Sequence, residues 1–307
     1  MRIAVPDLIS NSYFPAVAAV ELGFFKAEGL DAELELIFPV PKTMEDLREG
    51  KLDFVAGAAH ATLQAFPNWK GAKLLASLAQ NTYWMLVLRS DLNAKLGDVN
   101  AVKGLKIGAA PGPDSTIRQL IKEAGIDLEK DGVEVGPVPG STGAGVSFGV
   151  NAAQALEDGI IDGFWANAMG SEVAVRKGLG TMVLDARRGI CPPASVRYTF
   201  PALVTTDANI EKDPEMVRAA VRAIVNVQKA LKEDPSRATA VGERLFPAME
   251  AGIIAGLIER DLPFYDPAIS EDAVKGMNAF AKDIGLLTED VTYDQVVATQ
   301  FSGIWTD

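Results

Sequence analysis

The sequence predicts an α/β fold in which two Rossmann-like lobes are joined by two hinge strands and completed by a helical C-terminal section. Three observations carry that expectation. Short apolar runs alternate with amphipathic, helix-length segments through about residue 205, the signature of mostly parallel sheets with helices on both faces. An internal echo divides this region into two similar halves. Beyond Thr206 the strand-like runs stop and only helical periodicity continues.

In chain order, the first strand series is Arg2–Val5, Ala32–Phe38, Phe54–Gly57, Ala72–Ala79 and Trp84–Arg89. The second is Leu105–Ala109, Val133–Val138, Gly163–Trp165, Met182–Leu184 and Phe200–Thr205. Amphipathic segments such as Pro15–Ala27, Ser115–Ala124 and Val146–Glu157 fall between them. The echo is explicit: Leu47-Arg-Glu-Gly-Lys-Leu-Asp-Phe-Val-Ala-Gly57 resembles Leu156-Glu-Asp-Gly-Ile-Ile-Asp-Gly-Phe-Trp-Ala166. Earlier in each half, Lys26-Ala-Glu-Gly-Leu-Asp31 parallels Lys122-Glu-Ala-Gly-Ile-Asp127. Each motif reads as a helix end closed by Gly, the residue that adopts the left-handed conformation without steric cost. Helices are expected at Asp213–Lys232, Pro235–Leu245, Met249–Arg260, Ser270–Ile284 and Tyr293–Gln300. The chain should change lobes at Tyr83–Arg89 and Tyr198–Thr205. That divides it into residues 1–87 plus 203–307 and residues 88–202. Ligands of open α/β sheets bind beyond the carboxyl ends of the strands, so both lobes aim their first turns into one cleft.

Composition narrows the function. The 307 residues carry a formal charge of −12 and no run of five like charges. Nucleic acid is therefore not an expected partner, since neutralising phosphates takes clustered Lys and Arg. One cysteine, Cys191, and one histidine, His60, allow no internal disulfide and leave a His/Cys zinc site without ligands. No cofactor is expected. No apolar run reaches the length of a membrane span, and the N-terminus lacks the basic and apolar regions of a secretory leader. The expected location is periplasmic if an export leader precedes this numbering and cytoplasmic otherwise.

Ala16…Gly23-Phe-Phe-Lys-Ala-Glu-Gly-Leu-Asp31, Arg48-Glu-Gly-Lys-Leu-Asp-Phe54 and Val102-Lys-Gly-Leu-Lys-Ile-Gly108 resemble the nitrate/taurine/sulfonate type of ABC-transporter substrate-binding protein. The resemblance spans nearly the whole chain. It implies the type II periplasmic-binding-protein fold, shared with thiamine-pyrimidine synthase-like proteins. It also implies a monomer that clamps a small organic ligand between two lobes and delivers it to an ABC-transporter permease. The ligand expected is an aromatic or heteroaromatic acid, a sulfonate or a pyrimidine-like compound. The cysteine-rich iron-binding segment of the pyrimidine synthase has no counterpart here. An enzyme on the same fold, a decarboxylase or pyrimidine-synthase-like protein with His60 as acid or base near Asp114, is the alternative. A cytoplasmic ligand sensor is a third.

Candidate ligand contacts follow from the strand ends. Ser10, Asn11, Ser12 and Tyr13 follow the first strand. Ser12 reads either as a helix cap or as part of a polar site at a helix start. His60 follows the third strand, and Gln80, Asn81 and Tyr83 precede the first crossover. In the second half the resemblance points to Gly112, Asp114, Ser115 and Thr116. Ser141 and Thr142 occupy a Gly-rich loop that lacks the Lys-Ser/Thr ending of a nucleotide loop. Trp165 and Asn167 end the strand that echoes Phe54–Gly57. Arg187, Arg188 and Arg197 flank the second crossover and are expected in solvent.

Overall fold

The computed structural model describes residues 1–139, 141 and 147–306. Among them the strands are β1 (Arg2–Val5), β2 (Glu33–Leu36), β3 (Phe54–Ala58), β4 (Ala72–Ser77), β5 (Met85–Arg89), β6 (Lys106–Ala109), β7 (Glu134–Gly136), β8 (Gly163–Ala166), β9 (Gly180–Asp185) and β10 (Pro201–Thr206). They form two five-stranded sheets, ordered β2-β1-β3-β10-β4 and β7-β6-β8-β5-β9. The two orders superpose when β1 is matched to β6, β2 to β7, β3 to β8, β4 to β9 and β10 to β5. This is the two-lobed α/β architecture expected from the sequence.

The sheets are mixed rather than mostly parallel. β1 pairs in parallel with β2 and β3, but β10 runs antiparallel to both β3 and β4. In the second sheet β6 is parallel to β7 and β8, while β5 is antiparallel to β8 and β9. The reason is topological. β5 ends the first series but lies in the second sheet, and β10 ends the second series but lies in the first. Each sheet thus receives one inner strand from a chain segment arriving from the other lobe. Residues 78–84 and 186–200 make the two passages.

The glycines of the echo end helices as expected. Gly29, Gly50, Gly125 and Gly159 all have φ between +68° and +80°, and none meets a neighbour that a Cβ would strike. It is their backbone conformation that favours glycine. Another left-handed glycine, Gly23 at φ +80°, breaks the helix expected over 15–27 into Phe14–Glu21 and Phe24–Ala27. Expected helix 293–300 is likewise cut short at Tyr293–Val296 and continues as a tighter turn through Thr306.

The C-terminal helices cover the first sheet's side of the molecule. Pro214–Glu233 packs on the two segments of the broken helix, with Arg222 paired to Glu28 at 2.6 Å. Its start is capped by Asp213, which accepts from the Met216 N–H at 2.9 Å, satisfying an otherwise orphaned donor. Helix Ala248–Asp261 instead reaches across to helix Ala168–Arg176 of the second lobe, where Arg260 meets Glu172 at 3.3 Å. No helix of the described residues is long and apolar enough to cross a membrane.

Candidate functional site

β1 is buried along Ile3-Ala4-Val5 and is followed at once by Pro6 and Asp7. Asp7 is therefore carried to the carboxyl end of an inner strand, facing the opposite lobe. Two helices of that lobe begin there: Phe148–Glu157, with Ser147 at its N-cap position, and Ala168–Arg176, capped by Asn167. They cross at a close approach that only glycine permits, because a Cβ on Gly170 would lie 2.4 Å from the Gly149 carbonyl.

The consequence is a three-way contact. Asp7 Oδ2 accepts from Ser147 Oγ at 3.0 Å and from Asn167 Nδ2 at 3.1 Å, while Oδ1 accepts from the Ile9 N–H at 3.0 Å. Asn167 meanwhile caps its own helix through Oδ1, which accepts from Met169 and Gly170 N–H groups at 3.0 and 3.4 Å. Side chains from two helix N-termini thus converge on one carboxylate, the placement the helix dipoles favour. Burial nevertheless pushes the Asp7 carboxyl up to about 7, with the Ser147, Ile9 and Asn167 hydrogen bonds opposing part of the rise. Neutral donors alone do not offset the loss of water around a carboxylate.

Above this contact lies a narrow cavity of about 40 Å³. Asp7, Tyr13, Phe38 and Tyr83 approach from one side, and Pro111, Pro113, Phe148, Trp165 and Asn167 from the other. Trp84, on the first passage, links them: its ring centroid is 4.5 Å from Tyr83 and 6.4 Å from Trp165. The Tyr13 and Tyr83 hydroxyls share a 2.7 Å hydrogen bond, and burial raises the pKa of both above the ordinary tyrosine value. No Lys, Arg or His lines the cavity among the described residues. The wall is aromatic, and among the described residues its single charged group is Asp7.

Of the residues singled out from the sequence, the lining brings together Tyr13, Tyr83, Trp165 and Asn167. The others described lie off this lining, and the Ser12 hydroxyl and both His60 ring nitrogens are buried without a hydrogen-bond partner. Ser10 Oγ accepts from the Ser12 N–H at 3.1 Å. Ser12 does not cap the following helix, whose N-cap position is Tyr13 and has no side-chain capping bond. Gln80 donates to the Asp266 and Ala268 carbonyls, and Asn81 to that of Arg187. Gly112, at φ +99°, turns the chain so that its N–H reaches Asp114 Oδ1 at 2.9 Å. Asp114 also pairs with Arg118, and Ser115 donates to the Gly112 carbonyl. Thr116 accepts from Trp165 Nε1 at 2.9 Å, fixing the indole that lines the cavity. Ser141 donates to Val138, and Thr142 lies outside the described residues. His60 is fully buried, edge-on to Phe280 and Trp84 at 5.5 and 6.2 Å. Burial pushes its pKa down to about 4, with the Gly112 backbone opposing in part, so it is neutral at neutral pH.

A second buried polar cluster stands behind Tyr83. Arg187, expected in solvent, is 2 % exposed. It donates to Asp261 Oδ2 at 2.5 Å, and Asn11 Nδ2 reaches the same oxygen at 2.6 Å. Arg188 meets Asp261 Oδ1 at 2.6 Å and Asp185 at 2.9 Å. Burial alone would raise the Asp261 carboxyl, but the two arginines outweigh it and hold it below the ordinary range. Arg187 also lies 5.8 Å from the Tyr83 ring centroid, a favourable cation–π placement. The cluster ties the second passage to the first lobe's loop and to the end of helix Ala248–Asp261.

Fold and site together define a two-lobed α/β protein with the periplasmic-binding-protein fold and a small, partly open aromatic cavity between its lobes. The chain belongs to the NMT1/THI5-like family, whose model matches residues 10–238. Among solved structures it is similar to a protein from Bordetella bronchiseptica RB50, with TM-score 0.73, 20% identity and coverage of 97% of this chain and 92% of that one. It is also similar to the alkanesulfonate-binding protein SsuA from Xanthomonas axonopodis pv. citri bound to MOPS, with TM-score 0.69, 13% identity and coverage of 98% and 96%. A third is the desulfurization enzyme DSZB in complex with biphenyl-2-sulfinic acid, with TM-score 0.64, 17% identity and coverage of 98% and 97%. No match is found among curated proteins.

Proposed function

We propose that this protein is the solute-binding component of an ABC-type importer. It closes its lobes around one small organic molecule and presents the closed form to a permease. The observation that carries this reading is Asp7, which leaves the end of β1 and is hydrogen-bonded to Ser147 and Asn167 at two helix starts of the other lobe. A contact of that kind exists only when the lobes are together, so it can couple cleft occupancy to the shape a permease reads. The lobes of the proposal are residues 1–87 with 203–307, and residues 88–202. The protein acts as a monomer, in the periplasm where an export leader precedes the numbered chain.

Binding without turnover is favoured by the lining. Among the described residues it brings together one carboxylate and two hydrogen-bonded tyrosines but no nucleophile–base pair, and acyl or group transfer needs such a pair. The similarity to DSZB keeps an enzyme in view as the second reading. Titration calorimetry against a solute panel, with product analysis of each mixture, tests the proposal. One solute should bind with unit stoichiometry and be recovered unchanged. A panel without any binder, or a ligand that is consumed, would overturn it.

A further inference from the structure

A larger space lies at the second passage, away from the cleft. It is a groove of about 770 Å³ between the 189–198 segment, the end of helix Pro113–Glu123 and one face of helix Glu271–Asp283. The first helix follows β6 of the second sheet, and the other belongs to the C-terminal section. The groove shares no lining residue with the inter-lobe cavity.

Its two ends carry opposite charge. Glu123 and Asp283 are the last residues of their helices, where the partial negative charge of a C-terminus disfavours a carboxylate and favours a cation. Among the described residues neither forms an ion pair. Glu123 accepts only from Gln119 Nε2, at 3.0 Å, and Lys122 lines a neighbouring groove with Asp283 without pairing to it. Tyr198 stands at the same end. Its ring stacks on Phe280 at 4.4 Å, the residue is 2 % exposed, and its hydroxyl makes no hydrogen bond. Burial first and the Glu123 carboxylate next raise its pKa, so the hydroxyl stays neutral and its oxygen can accept. At the other end Asp272 neutralises Arg197 at 3.6 Å, while Lys275 has no ion-pair partner among the described residues. Lys275, Ala279 and Asp283 recur every fourth residue on one helix face, which sets the free ammonium and the free carboxylate about 12 Å apart along the axis. Ala279, Val196 and Pro193 make the stretch between them apolar.

From this pairing of an acidic end, an apolar middle and a basic end, we infer that the groove is a second binding site, for a short dipolar chain such as an extended peptide. Its ammonium sits between Glu123 and Asp283 beside the Tyr198 hydroxyl, and its carboxylate reaches Lys275. Three extended residues span about 10 Å, the length the two ends demand. The site is independent of the solute-binding reading, which stands or falls on the cleft.

The test removes one charge at a time. Trialanine, N-acetyl-trialanine and trialanine amide are titrated into the whole protein by calorimetry at millimolar concentration. Trialanine should bind, and each capped form should bind about 3- to 10-fold more weakly, as expected for exposed ion pairs. Glu123→Gln combined with Asp283→Asn should weaken trialanine and leave the acetylated form unchanged; Lys275→Gln should weaken trialanine and leave the amide unchanged. Ala279→Trp, at an exposed position, fills the groove and should abolish binding. No binding of trialanine, equal binding of the three peptides, or binding that survives Ala279→Trp would overturn the inference, the last by placing the peptide elsewhere. Should Ala279→Trp fail to fold by circular dichroism, the charge variants decide, since an effect of each on the wrong peptide, or on none, is equally fatal.

Discussion

Two buried carboxylates, Asp261 and Asp7, are treated in opposite ways. Asp261 is held by Arg187, Arg188 and Asn11, and its pKa is lowered. Asp7 is held by a serine hydroxyl, a carboxamide and a backbone N–H, and its pKa is raised to about 7. The first arrangement compensates charge with charge and remains ionised through the physiological range. The second leaves the charge under-compensated. A fixed ion cluster suits the passage, which must keep its shape while the lobes move. An under-compensated carboxylate suits a cleft whose occupant can supply what is missing.

That contrast can be broken first at the passage. Asp261→Ala leaves Arg187 buried without its carboxylate, and loss of one partner of a buried pair costs about 3–5 kcal/mol. Urea unfolding should show this drop, whereas Asp7→Asn should change stability far less. Equal losses at the two sites would remove the distinction. Next in size is Gly170→Ala. Its Cβ would meet the Gly149 carbonyl at 2.4 Å, and the forced separation of the two helices should cost about 1–3 kcal/mol. Because those helices carry Ser147 and Asn167, ligand affinity should fall along with the melting temperature.

The pH response separates the two carboxylates further. Asp7 titrates at about 7 in the closed form, against an ordinary value of 3.8, so closure binds protons between these limits. The closed form is thus most favoured at and below the lower value and loses ground as pH rises toward about 7. Tyr13 and Tyr83, the other titratable groups of the cavity, stay protonated across this range. The radius of gyration of the ligand-free protein should increase over that interval, and Asp7→Asn should flatten the curve. The smallest effect belongs to Asn167→Ala. It removes the helix cap and one Asp7 contact, with a cost of about 1 kcal/mol in urea unfolding.

Much of this fold is legible in the sequence, because each strand is short, apolar and bounded by punctuation. The glycines at 29, 50, 125 and 159 report their left-handed conformations directly, and their repeated order gives away the duplication. What local pattern does not encode is strand direction. β5 and β10 look like any other buried strands, yet each enters the sheet of the opposite half. The site is legible in part. Tyr13, Tyr83, Trp165 and Asn167 follow from the rule that ligands lie at strand ends. Asp7 satisfies the same rule more strictly, as the first ionisable residue after β1, but the polar run that begins at Ser10 is the louder signal. Arg187 is beyond reach in a different way. Its burial depends on Asp261, 74 residues away in sequence, and no local feature announces that partner.

The central claim is that the cleft closes on a solute. Small-angle scattering of the protein with and without a saturating calorimetric ligand measures this directly. The account predicts a smaller radius of gyration in the bound state, with Asp7→Asn losing most of the ligand-induced compaction at matched concentrations. A ligand that binds with full stoichiometry and leaves the scattering curve of the natural protein unchanged from an open, ligand-free form would contradict it.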